Sequence, residues 1–128
     1  MKTYKEDFTP GYYIMRNNHL DACSRLGQEI GIVLSKDYYL DTTSFLSTPI
    51  SMEEAKRYSR ILKLSLPTKK QLKLLAANQE IVNNSLIAAG KGNYLLLGDI
   101  SKDYWTARAI CKTTEKRRVL FIKPICRN

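Results

Sequence analysis

Apolar positions along this chain recur first in short β-like runs, then at helical spacing, then in β-like runs again. Tyr12-Tyr13-Ile14-Met15 and Ile30-Gly31-Ile32-Val33-Leu34-Ser35 are branched or aromatic stretches bounded by polar residues, and they predict strands. Gly31 inside the second run points to close approach of a neighbouring element. Pro10-Gly11 and Asn17-Asn18-His19 read as turns. Residues 1–10 are mostly polar and predict a flexible or extended N-terminal segment. Residues 36–50 mix Asp, Thr, Ser and Pro49 and predict an irregular surface connection.

At Ser51 the period changes. Ser51-Met52-Glu53-Glu54 is a capping box, in which the Ser hydroxyl accepts from the Glu54 amide and the Glu carboxylate returns to the Ser51 amide. Met52, Ala55, Tyr58 or Ser59, and Leu62 follow at helical spacing, with Lys56, Arg57, Arg60 and Lys63 on the other face, so a helix is predicted over about 51–63. Leu66-Pro67 separates it from a second capping box, Thr68-Lys69-Lys70-Gln71, which opens a helix through Leu72, Leu75 and Ala76. A third helical pattern runs from Glu80 to Ala89, stopped by Gly90 in the C′ position.

Beyond the turn Lys91-Gly92-Asn93, strands are predicted at Tyr94–Leu97, Tyr104–Cys111 and Arg118–Ile122, with Pro124 closing the last. The late strands follow one another too closely for crossover helices. Antiparallel pairing and an α+β class follow, with two to three helices packed on small antiparallel sheets. The 128 residues contain no repeat and no long linker, which predicts one domain over 1–128.

Composition adds exclusions. Hydrophobic residues are 44% and charged residues 26%, a globular balance that excludes a disordered or fibrous chain. No apolar run approaches the roughly 20 residues that span a bilayer, so no membrane insertion is expected. The formal charge is +9 and uneven: residues 1–50 carry five basic and six acidic side chains, and the remaining basic excess lies in residues 51–128. Such asymmetry fits either a solvated surface or a polyanion partner. Cys23, Cys111 and Cys126 contain no C-x-x-C spacing and read as structural thiols. Met1–Asp7 has a charged start but no apolar stretch or cleavage site, which reads as cytoplasmic, or as extracytoplasmic with a leader already removed.

Leu66-Pro67-Thr68-Lys69-Lys70-Gln71-Leu72-Lys73-Leu74-Leu75 resembles the LPT-x-x-E/Q-L-x-x-L signature of the Lcl C-terminal domain family, bacterial domains of unknown function. In the expected order, Ile81-Val82-Asn83-Asn84-Ser85-Leu86 with Ala89-Gly90 resembles that family's I-N-x-x-L…G helix. Asp103-Tyr104-Trp105-Thr106-Ala107 resembles its YWSS strand, and Ile122-Lys123-Pro124-Ile125 its closing VRPV strand. Ile30-Gly31-Ile32-Val33-Leu34 is similar to the IGIV strand of related surface proteins. The resemblance covers about residues 11–125, with specific motifs in 66–107. It implies a C-type-lectin-like fold, shared with formylglycine-generating enzymes and with variable binding proteins of phage and gut bacteria. The chain departs from the pattern at Leu64-Ser65, where the family has Trp-Arg, at Ala107, and in the short loop Asp99–Asp103 where the ligand face is generally inserted.

Residue chemistry assembles no catalytic constellation. His19 stands alone among turn formers and reads as a surface histidine. Asp37, Asp41, Asp99 and Asp103 lack the EPN, QPD and WND strings of lectin calcium sites, and Gly90-Lys91-Gly92 follows a helix instead of preceding one, so no catalytic residue, metal or cofactor is expected. Tyr104 and Trp105, with Asp99 and Asp103, form the candidate ligand site, because Tyr and Trp stack on planar or sugar ligands. The favoured reading of Trp105 is a core anchor. The expected function is a non-catalytic binding or interaction domain for a protein or glycan. The alternative is a nucleic-acid-associated protein using Arg57, Arg60, Lys63, Lys69, Lys70 and Lys73 on two successive helices.

Overall fold

A computed structural model of the chain describes residues 8–16, 19–23, 28–44, 46–92, 95–96, 98–108 and 114–125. The architecture is α+β. A five-stranded antiparallel sheet joins β1 (Tyr13–Met15), β2 (Leu20–Asp21), β3 (Glu29–Val33), β4 (Tyr38–Asp41) and β7 (Ile122–Pro124) in the order β2-β1-β3-β4-β7. A second, two-stranded sheet pairs β5 (Leu46–Ser51) with β6 (Lys116–Val119). Between β5 and β6 lie α1 (Met52–Leu62), α2 (Lys69–Ala77), α3 (Gln79–Ala88) and the single turn α4 (Ile100–Asp103).

The helices begin where their local chemistry directs. Ser51 and Thr68 each accept from the backbone N–H three residues on, and Glu54 and Gln71 return to the cap amides, so both capping boxes are closed. Lys63 ends α1 in the left-handed region, at φ 57°. Gly90, at φ 73°, follows the C-cap of α3 and supplies the left-handed residue a helix end favours.

Several predicted elements differ. Residues 36–50 are not an irregular connection: β4 and most of β5 lie there, with β4 buried or half-buried and Leu46 and Ile50 of β5 half-buried. Pro49 has no N–H to give the ladder, and the β5–β6 register shifts between Leu46 and Ile50. The predicted strand 94–97 is absent at Leu95 and Leu96. There Asn83 of α3 stands in for a strand partner: its Oδ1 accepts from Leu96 N–H at 2.7 Å and its Nδ2 donates to Leu96 O at 2.9 Å. Of the predicted strand 104–111, residues 104–108 hold one parallel bridge, Tyr104 with Arg118, before a turn at Ala107–Arg108, and residues 109–111 lie outside the described residues. The predicted strand 118–122 is divided between β6 and β7. The Asn17-Asn18 turn, residues 1–7, Cys111 and Cys126 lie outside the described residues.

Two cores share a wall. The larger one joins Tyr13, Ile32 and Leu40 of the sheet to Leu72 and Leu75 of α2 and to Val82 and Leu86 of α3. The smaller one gathers Ala55, Leu66, Trp105, Val119 and Phe121 under α1. Strand alternation explains the division: Val119 and Phe121 face the smaller core while Leu120 and Ile122 face the larger. The same alternation sends Tyr104 into the larger core and Trp105 into the smaller.

Gly31 is required by close packing, as its position in the run predicts. A Cβ placed there would overlap the Tyr39 ring on β4 and come within 3.0 Å of Leu40 O. Gly31→Ala is expected to lower the urea midpoint by the equivalent of about 1–3 kcal/mol through overpacking; an unchanged midpoint would show that Tyr39 swings aside without loss.

Candidate functional site

The four candidate ligand residues separate in the fold. Trp105 is fully buried and Tyr104 is 4% exposed, so neither ring offers a face to a stacked ligand. Trp105 acts as the core anchor of the smaller cluster, its Nε1–H donating to Ile50 O at 2.8 Å. Asp99 and Asp103 are exposed at the two ends of the turn that forms α4.

Asp103 does line an open cleft of about 250 Å³, together with Pro49, Gly98, Lys116, Arg117 and Arg118. β6 therefore brings the longest basic run of the sequence to the α4 loop. Alternation along the strand divides that run. Arg117 lies on the Trp105 side, its guanidinium carbon 4.8 Å from the ring centroid and its Nε 2.9 Å from Glu115 Oε2. Its charge is thus already engaged. Lys116 and Arg118 lie on the opposite face, and among the described residues no carboxylate stands within ion-pair distance of either.

Arg118 is half-buried beside the Tyr104 hydroxyl. Burial raises the Tyr104 phenol above the ordinary tyrosine range; the Arg118 hydrogen bond and charge oppose the shift, and Asp103 adds to it. Tyr13, whose hydroxyl donates to Ser85 O at 2.6 Å, is also raised by burial; the Ser85 side chain opposes the shift, and the charges of Glu29 and Cys23 add to it. Both phenols are neutral in the fold, so the stability they contribute is complete below the ordinary tyrosine value and is lost as pH rises through the raised ones. In an alkaline titration followed by tyrosinate absorbance, these two are expected to ionise last, together with unfolding. Ionisation of every tyrosine before any loss of structure would contradict this.

Lys116 also reaches the start of α1. The Glu54 carboxyl is held below the usual glutamate range chiefly by its hydrogen bonds from the Ser51 amide and hydroxyl, with smaller contributions from the charges of Lys116 and Arg57.

The six helical cations of the nucleic-acid alternative are all exposed, but their helices cover different cores. Arg57 and Arg60 belong to α1 and Lys63 to its C-cap, over the smaller core; Lys69, Lys70 and Lys73 belong to α2, over the larger. Arg57 sits 3.9 Å from Glu53. Cys23 and His19 are exposed, and Asp41 is buried against Lys123 at 3.8 Å. Among the described residues, no three His, Cys, Asp or Glu side chains gather where they could hold a metal, and no helix is long and apolar enough to cross a membrane.

Sequence reasoning placed Asp103 at a site but missed Lys116 and Arg118. Their signal in the sequence is the basic run Lys116-Arg117-Arg118, but its pairing with β5 and its approach to α4 are tertiary facts.

Fold and cleft together define a small α+β protein with an open basic cleft between its two-stranded sheet and α4. No protein-family model matches the chain, and neither the curated proteins nor the solved structures supply a match.

Proposed function

We propose that the chain is a non-catalytic binding domain, for a protein or glycan ligand, with a C-type-lectin-like fold. The observation that carries the binding role is the cleft: Asp103, Lys116 and Arg118 present polar groups at an open surface, held by a framework whose cores are closed directly behind it. Ligand sites commonly combine such a fixed frame with a few convergent polar groups. The fold assignment rests on the Leu66–Leu75, Ile81–Gly90 and Asp103–Ala107 resemblances to Lcl C-terminal domains, supported by helices packed on two small antiparallel sheets. The ligand contact lies at Asp103 and β6, not on the rings of Tyr104 and Trp105.

A glycan array and a pull-down, each run with the wild-type chain and with Lys116→Gln/Arg118→Gln, test the role. Retained ligands that the double variant loses support it. Empty results in both, or capture indifferent to the substitutions, overturn it.

A further inference from the structure

Resting on that reading, we propose that the cleft recognises a phosphate monoester carried on a hydroxylated, sugar-like group. Lys116 and Arg118 stand on one face of β6 with no carboxylate partner among the described residues, and Arg118 is half-buried. A half-buried arginine with no carboxylate in ion-pair range among the described residues is an arrangement that a ligand anion relieves. A phosphate monoester carries close to two negative charges and several acceptor oxygens, so one group matches both cations, whereas a carboxylate matches one. The Tyr104 phenol, whose ionisation burial pushes up, lies beside Arg118, and a backbone bridge sets the two residues side by side.

Asp103 narrows the choice. Its carboxylate lines the same cleft close to Gly98 and would repel a second anion. It is an acceptor only, and it suits a hydroxyl adjoining the phosphate. The volume of about 250 Å³ exceeds what a bare ion fills and falls below the roughly 300–1,000 Å³ of drug-sized sites, which fits one substituted ring or less. Arg117 is not part of the recognition, since Glu115 and Trp105 already hold it.

The test is an amide chemical-shift titration of the whole chain with glucose 6-phosphate, inorganic phosphate, O-phosphoserine, acetate and glucose. Glucose 6-phosphate is expected to move the amides of Gly98, Lys116 and Arg118 saturably, glucose to move none, and acetate to bind more weakly than inorganic phosphate. Arg118→Gln should weaken glucose 6-phosphate by about tenfold or more, the usual scale for a lost charge-assisted hydrogen bond. Asp103→Asn should not weaken inorganic phosphate, because it removes a like charge. Trp105 emission reports whether each variant keeps its fold.

Three outcomes overturn the proposal: no saturable shift with glucose 6-phosphate, binding that survives Lys116→Gln/Arg118→Gln, or O-phosphoserine binding as tightly as the sugar phosphate. If these probes fail while array or pull-down ligands still depend on Lys116 and Arg118, the binding role stands and the phosphate chemistry falls. If both fail, both readings fall.

Discussion

Replacing Trp105 by alanine is expected to remove about 3–5 kcal/mol of unfolding free energy, the range for emptying a buried large aromatic site. The side chain is fully buried among Ala55, Leu66, Val119 and Phe121, and its removal leaves a void that these neighbours, fixed on α1, the α1–α2 link and the 119–122 segment, have little freedom to fill. It also removes the Nε1–H donor from Ile50 O and takes away the ring beneath Arg117. Domains of this size have about 5–15 kcal/mol in total, so the variant is expected to sit near the edge of stability. Trp105→Phe should lose less, since it keeps most of the volume and gives up the hydrogen bond. Denaturation followed by far-ultraviolet circular dichroism measures both; a loss under about 1 kcal/mol for alanine would disprove the anchoring role.

The second large effect has the opposite sign. The β1–β3 ladder is irregular between Ile14 and Met15, and this sets Glu29 opposite Met15. Glu29 is 3% exposed, and among the described residues neither of its carboxylate oxygens has a hydrogen-bond partner. Desolvating an unpartnered polar group opposes folding by about 1–3 kcal/mol on protein scales, and a charged one by more. Glu29→Met keeps a similar length, suits the packing beside Met15 and removes the penalty. It is expected to raise the urea midpoint by the equivalent of about 1–3 kcal/mol with an unchanged slope. Glu29→Gln should gain less, because an unpartnered amide remains. A lowered midpoint for Glu29→Met would show that the carboxylate contributes to stability, and would make it the next residue to examine for a role of its own.

What could be read along the chain was what local chemistry decides. Ser51, Glu54, Thr68, Gln71 and Gly90 act within one turn of themselves, and their helices begin and end where those residues direct. Strands β1 and β3 were visible because their apolar runs are bounded by polar turns. β4 and β5 were hidden because Asp41 and Pro49 interrupt the pattern; Asp41 is tolerated through Lys123 and the Thr43 amide and hydroxyl, all of them tertiary or turn contacts. Leu95-Leu96 looked like a strand because it is apolar, yet its partner is the Asn83 side chain.

One reason accounts for where the candidate residues lie. Alternation was correctly expected at Tyr104-Trp105, with one side assumed to meet water. Both sides meet protein, because this segment runs with Val119–Ile122 between two cores. The cations that line the cleft, Lys116 and Arg118, acquire meaning only from what β6 lies against.

The arrangement of strands also constrains the order of events as the chain is made. β4 pairs with β7 and β5 with β6, so both sheets are completed by residues 116–124, while everything from Met52 to Asp103 lies inside the loops those pairings close. Long-range pairing of this kind is slow, because the loop must close before any contact rewards it. During ribosomal synthesis the helices can form early, but β4 and β5 are left with open edges until the last strands emerge. A nascent chain stalled before Lys116 would therefore expose sheet edge and both half-built cores, the state in which it most needs a chaperone.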